Sequence, residues 1–309
     1  MRVAVVGAGG VGGYFGGKLA HSGVDTIFIA RGATLDALRT RGLRVESIEG
    51  DFTIDRVNAT GDPSSVGVVD AVLVCVKAWQ IPEVASRLAP MIGPDTIVVP
   101  LENGIDAPDI LAPLVGREHV LGGLCGIVSF AAGPGHIKHI AVEPFVMFGE
   151  LDNHQSDRAI RLRDAFRNAK VKADVPADIL HSMWTKFLFI VPMSAIGALT
   201  RVSISVWRAV PELRAIAEES LREMIAIAKA RGVDPGDDAL QRTMERYDNM
   251  APSSTSSLQR DVMDGKPSEL DAQIGAVVRL ARGSNVAAPV SSFLYYCLEP
   301  QERKARGTL

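Results

Sequence analysis

Three glycines near the start of the chain have the spacing that holding a phosphate requires. Gly7, Gly9 and Gly12 stand as G-x-G-x-x-G, with Ala8, Gly10 and Val11 between them. They follow Val3–Val6, an apolar run rich in β-branched residues that suits a strand buried on both faces. After them the pattern predicts a helix over Gly10–His21, with Tyr14, Phe15, Leu19 and Ala20 available to face a sheet. In such a unit the first glycine permits a tight turn and the second lets the backbone approach a pyrophosphate. The third lets the helix pack close to the strand. The helix start adds unpaired N–H groups and the positive end of its dipole. A glycine-rich turn with no ligand would share the spacing. The strand before, the helix after and a second strand at Thr26–Ile29 favour a dinucleotide.

The end of that second strand bears on which dinucleotide. It reads Ile29, Ala30, Arg31, Gly32, with no acid to take ribose hydroxyls and one arginine. A guanidinium grips a 2′-phosphate through a planar fork of donors, where a carboxylate would repel it. NADP is therefore preferred, the plain alternative for Arg31 being a solvated loop residue. Lys77 follows the apolar run Ala71–Val76, and Asn103-Gly104 follows Thr96–Val99. Ligands of open α/β sheets sit beyond the carboxyl ends of strands, so both positions suit a contact with one. A solvated strand-end charge and a simple turn are the plain readings of the same residues.

Chemistry-bearing residues also occur later. Lys186 lies inside the apolar run Ile179–Leu199. On spacing alone a lysine there more often snorkels to water. Pointed into a cleft, it would have a pKa lowered by desolvation and suit proton donation. Pro192 should kink this helix and free a carbonyl one turn earlier, and Ser194 falls two turns beyond Lys186 on roughly the same face. Around Ser256 and Ser257 a polar loop becomes a helix, where hydroxyls act as caps or meet a carboxylate. Ser268 is a candidate N-cap with Asp271 at the third helical position. Glu269, between them, either complements the dipole or faces a cleft.

These residues need a scaffold, and the pattern supplies two. Strands and helices alternate from residue 1 to about 172, including a hairpin around Glu49-Gly50 and strands at His136–Val142 and Phe145–Phe148. Gln155–Ala169 reads as a closing helix, and Lys170–Asp174 as a short polar connection. After that the β pattern stops, and helices are predicted over Ile179–Leu199, Val210–Arg231, Asp237–Tyr247 and Leu270–Arg282. The fold class expected is α/β: an N-terminal Rossmann-type doubly wound domain over 1–172, then an all-helical domain over 173–309.

Composition limits the partners. The 309 residues carry a formal net charge of −3 with both signs intermixed, and 47% are hydrophobic. No nucleic-acid or membrane surface is indicated, and no apolar run is expected to approach the length of a membrane span. The three cysteines, Cys75, Cys125 and Cys297, form neither a disulfide framework nor a metal-ligand pattern, so no metal is expected and the compartment reads as a reducing cytoplasm. Apolar helix faces in the second domain could support a homodimer.

Taken together these pieces resemble the ketopantoate reductase (2-dehydropantoate 2-reductase) family over nearly the whole chain. The anchors are Gly7–Gly12, Arg31, Val76-Lys77, Glu102-Asn103-Gly104, Trp184–Phe187 and the block Ser256–Asp271. The resemblance implies NADPH in the first domain and a small 2-oxo acid in the interdomain cleft, reduced to a 2-hydroxy acid. It implies Lys186 as the general acid, Glu269 close to it, Ser257 on the substrate carboxylate, and Asn103 and Lys77 beside the cofactor. Family members carry asparagines one and two turns after the lysine, where this chain has Ile190 and Ser194. Ser194 can still hydrogen-bond a substrate oxygen and Ile190 cannot. Two other readings compete: a related NADP-dependent dehydrogenase of a different hydroxy or oxo acid, and a non-catalytic NADP(H)-sensing protein.

Overall fold

The structure is a computed structural model describing residues 1–309. The chain divides into two compact units. The first comprises residues 1–102 and 107–179, the second residues 103–106 and 180–309.

The first unit contains two sheets. Strands β1 (Arg2–Val6), β2 (Asp25–Ile29), β5 (Asn58–Thr60), β6 (Ala71–Val74) and β7 (Ile97–Pro100) form a wholly parallel sheet in the order β5-β2-β1-β6-β7. The central strands are apolar and buried because helices cover a parallel sheet on both faces. Helix α1 (Gly10–His21) buries Tyr14, Phe15 and Leu19 beside Val3, Val5 and Phe28. Helices α2 (Gly32–Arg41), α3 (Ile81–Ala85) and α4 (Ala107–Val115) complete the crossovers. Strand order reverses at β1, from which β2 lies on one side and β6 on the other, so the loop after β1 sits at the topological switch point.

The second sheet joins β3 (Leu43–Ser47), β4 (Phe52–Ile54), β8 (Leu121–Gly133), β9 (His136–Glu150) and β10 (Lys172–Asp174). The hairpin expected at Glu49-Gly50 is present as the antiparallel pair β3–β4. Two expectations need correction. The strands predicted at 136–142 and 145–148 are one continuous strand, β9, which accommodates a positive φ at Val142 and register shifts against β8. The polar stretch expected as a connection is β10, paired in parallel with β9 after helix α5 (Asp157–Asn168).

The second unit is helical: α6 (Ile179–Thr200), which enters it at Leu180, α7 (Ile204–Trp207), α8 (Pro211–Ala230), α9 (Ala239–Asn249), α10 (Ser257–Met263), α11 (Ala276–Gly283) and α12 (Pro289–Ala305). Its core gathers Trp184, Phe187, Trp207, Leu221, Met224 and Tyr247 around α6. The expectation that no apolar run approaches the length of a membrane span also needs correction. By length and composition the 22-residue α6 could cross one, but 67% of its most apolar 18-residue stretch is buried inside the protein. It is the apolar centre of a helix cluster.

Candidate active site

In the first unit the loop from β1 to α1 has the form its glycines predict. Gly7 has a φ of +96°, a region L side chains avoid, and a Cβ there would stand 2.8 Å from the Cys75 carbonyl oxygen. At Gly12 a Cβ would collide with the Gly7 carbonyl oxygen, so helix and turn close only around glycine. Gly9 differs: it is exposed, and an added Cβ would meet nothing within 4 Å. As the residue preceding α1 it makes no side-chain cap bond, and the first turn carries no acid. At Gly9 no side chain crowds the approach to the start of α1, which fits a dinucleotide pyrophosphate taken by the helix N–H groups.

Arg31 precedes α2 and is exposed, and its guanidinium bonds the Glu83 carboxylate at 3.0 Å. Lys77 is half-buried just beyond β6, with its Nζ 5.8 Å from the centre of the Trp79 ring. The turn after it is fixed by Gln80, whose Oε1 accepts from the Lys77 N–H at 3.2 Å and whose N–H donates to the Lys77 carbonyl at 2.8 Å.

The other named residues belong to the second unit, Asn103 among them. The segment Asn103–Asp106 is held there by two observations. A Cβ on Gly104 would lie 3.3 Å from the Ala272 carbonyl oxygen. Arg279 donates to the Asp106 carboxylate at 2.8 Å and to the Asp271 carboxylate at 2.7 Å. The loop carrying Asn103 is thereby tied to the turn that follows Glu269.

Lys186 is the only Lys, Arg, Asp or Glu in the 22 residues of α6 and is half-buried. Two turns on, Ser194 is 1% exposed and its hydroxyl has no hydrogen-bond partner. That is unusual for a helical hydroxyl, which commonly bonds the carbonyl four residues back. Thr200 does so to Ile196 at 2.7 Å and Thr243 to Ala239 at 2.8 Å. Pro192 has no N–H for the Leu188 carbonyl, yet α6 continues through it. The Tyr247 hydroxyl stands in, 3.5 Å from the Leu188 oxygen and donating to the Phe189 oxygen at 2.7 Å.

At the start of α10 Ser256 is the buried cap, its Oγ accepting from the Gln259 N–H at 3.0 Å, which leaves the half-buried Ser257 hydroxyl outside the capping role. Ser268 makes a different bond from the one expected. Its N–H and hydroxyl both donate to the Glu302 carboxylate, at 3.0 and 2.6 Å, while its Oγ accepts only a long bond from the Leu270 N–H at 3.3 Å. Arg306 closes the clamp on the Ser268 carbonyl oxygen at 2.9 Å and on Glu302 at 2.6 Å. The buried Glu269 follows directly. Sequence reasoning missed this clamp because its partner lies 34 residues away.

A glycine-turned loop at the switch point of a parallel sheet, followed by a helical unit carrying a half-buried lysine, is the arrangement of a two-unit dinucleotide-dependent oxidoreductase. Family models narrow that class. Residues 3–153 match ketopantoate reductase PanE/ApbA and residues 178–302 match its C-terminal counterpart. The chain belongs to the ketopantoate reductase family, oxidoreductases that act on 2-oxo acids and use NADPH. It is 30% identical to the uncharacterized oxidoreductase YkpB of Bacillus subtilis, over 98% of this chain and 99% of that one. It is 28% identical to the 2-dehydropantoate 2-reductase of a Nostoc species, over 96% and 94% of the two chains. Among solved structures, a PanE/ApbA family ketopantoate reductase from Ralstonia eutropha superposes with a TM-score of 0.90 at 29% identity, covering 99% of this chain and all of that one.

Proposed function

We propose that this chain reduces 2-dehydropantoate to pantoate with NADPH, Lys186 serving as general acid. The observation that carries the proposal is Lys186 itself, the one Lys, Arg, Asp or Glu of its helix, half-buried and two turns from a buried hydroxyl with nothing to bond. Bound NADPH supplies the hydride. The loop at Gly7, Ala8, Gly9, Gly10, Val11 and Gly12 takes its pyrophosphate, Arg31 its 2′-phosphate, and Lys77 and Asn103 orient its reactive half.

As hydride reaches the ketone carbon, negative charge grows on the ketone oxygen. The Lys186 ammonium stabilises that charge and donates the proton that completes the alcohol. Glu269 supplies a carboxylate for the same proton path, Ser257 donates to the substrate carboxylate, and Ser194 takes a substrate oxygen.

Oxidation of NADPH, followed by its near-ultraviolet absorbance with 2-dehydropantoate and a panel of 2-oxo acids, tests the reading. Lys186→Ala should lower kcat by roughly 10²- to 10⁴-fold, the range for a positioned proton donor, while NADPH binding is retained. Unchanged turnover in that variant would remove Lys186 from the mechanism, and tight NADPH binding without turnover of any acid would favour a sensor.

A further inference from the structure

Gln273 is 1% exposed, and neither its Nε2 nor its Oε1 has a hydrogen-bond partner. A buried amide left unbonded at both ends is costly, and a protein retains one only for a reason. Apolar side chains dominate this unit's core, so a leucine would have met no such cost at that position.

The backbone around Gln273 is specialised. Asp271–Gly275 is a π-helical turn, a form that occurs mostly as single insertions, often at functional sites. The Gly275 N–H reaches back five residues to the Leu270 carbonyl at 3.1 Å. The turn is held rather than frayed, because Arg279 bonds the Asp271 carbonyl at 3.1 Å as well as its carboxylate, and the Tyr295 hydroxyl donates to that carboxylate at 3.2 Å. A Cβ on Gly275 would press on both Asp271 and Tyr295. Within the turn the Gln273 N–H bonds the Glu269 carbonyl at 3.0 Å, which stacks Gln273 one turn above Glu269 on the same stripe. Leu270 and Ile274 form the neighbouring stripe and enter the core.

We infer that Gln273 is a substrate-recognition residue whose amide receives the hydroxyl group of a hydroxylated 2-oxo acid. An amide offers one acceptor and two donors side by side, and a hydroxyl needs one of each. The residue would supply the polar contact that Ile190 cannot make. This inference rests on the proposed reductase activity, and names the substrate feature that the second unit reads.

The test compares 2-dehydropantoate with 3,3-dimethyl-2-oxobutanoate, the same acid lacking only the hydroxyl, in the full-length wild type and in Gln273→Leu. The wild type should favour the hydroxylated acid in kcat/KM. In Gln273→Leu that value should fall roughly 10- to 100-fold for the hydroxylated acid and hold or rise for the other. The variant should also have a higher Tm, since an unbonded buried amide has been replaced by an apolar group. A structural role predicts the opposite: a lower Tm, failure to fold, or equal losses on both acids. Any of these overturns the inference and leaves the reductase intact. No turnover of either acid by the wild type overturns both. Gln273→Asn, a shorter amide, should keep part of the preference, and a loss as large as that of leucine counts against the inference.

Discussion

At the scale of single residues, Arg31 sets up a competition. Its guanidinium already bonds Glu83, and both side chains are more than half exposed, at 67% and 58%. Exposed pairs of this kind contribute about 0–1 kcal/mol, so in the role proposed for Arg31 a dianionic 2′-phosphate would displace the carboxylate. The displaced charge would stay nearby and oppose the phosphate. Glu83→Gln should therefore lower the KM for NADPH about threefold, with little change for NADH. Arg31→Ala should raise the NADPH value roughly tenfold or more and narrow the preference over NADH, as expected for loss of a charge-assisted bond. Steady-state kinetics with both cofactors checks each. Residues of this kind were partly legible. The glycine loop was, because Gly7 and Gly12 answer to backbone geometry a few residues away. Arg31 was readable by position, but Glu83 was not, since a crossover of 52 residues separates them. Gln273 gave no signal, because nothing in the local residue pattern marks the π-helical turn that carries it.

At the scale of elements, α6 carries both Lys186 and Ser194, with Pro192 between them. Proline removes one donor, and Tyr247 of α9 brings its hydroxyl to the carbonyls of Leu188 and Phe189 one turn earlier. That ring is fully buried, and burial pushes its phenol well above the ordinary value, so the group stays a neutral donor across the working range. Tyr247→Phe keeps the packing and deletes the donor. It should lower stability by about 1–3 kcal/mol in urea unfolding, with the m-value unchanged. If Tyr247 also holds the line between Lys186 and Ser194, kcat should fall while the KM for NADPH stays put. The donor missing at Pro192 was legible, whereas the continuous helix and the hydroxyl that another helix brings to it were not. Elements were misread where composition concealed pairing. Lys172–Asp174 has only Ala173 buried, between two exposed residues, so it looks like a loop until β9 is there to bond it. Val142, with φ at +68°, suggested nothing of the continuous strand that runs through it.

At the scale of the whole molecule, each unit has its own apolar core, which is what the shift from alternating to purely helical periodicity foretold. The long-range polar ties were invisible in sequence, and one of them bears on acid stability. Glu150 ends β9 and is 5% exposed. Arg158 of α5 bonds both its oxygens, at 2.8 and 2.9 Å, and also the Glu118 carbonyl at 2.6 Å. Burial is the largest single influence and would raise the carboxyl pKa, but the hydrogen bonds from Arg158 and Ser156, with the charges of Arg158 and His154, together outweigh it and hold the group below the usual carboxylate range. A carboxyl depressed on folding adds stability that is complete above its unfolded pKa of about 4.3 and disappears as pH falls through the folded value. Glu150→Gln removes that charge at every pH. Near neutrality the variant should be less stable by about 3 kcal/mol, the cost of leaving a mostly buried guanidinium without its partner. As pH falls from about 4.3 through the lower folded value, protonation removes the charge's contribution from the wild type, so the two Tm curves should approach each other. A constant gap down to low pH would mean that Glu150 acts through packing rather than through its charge.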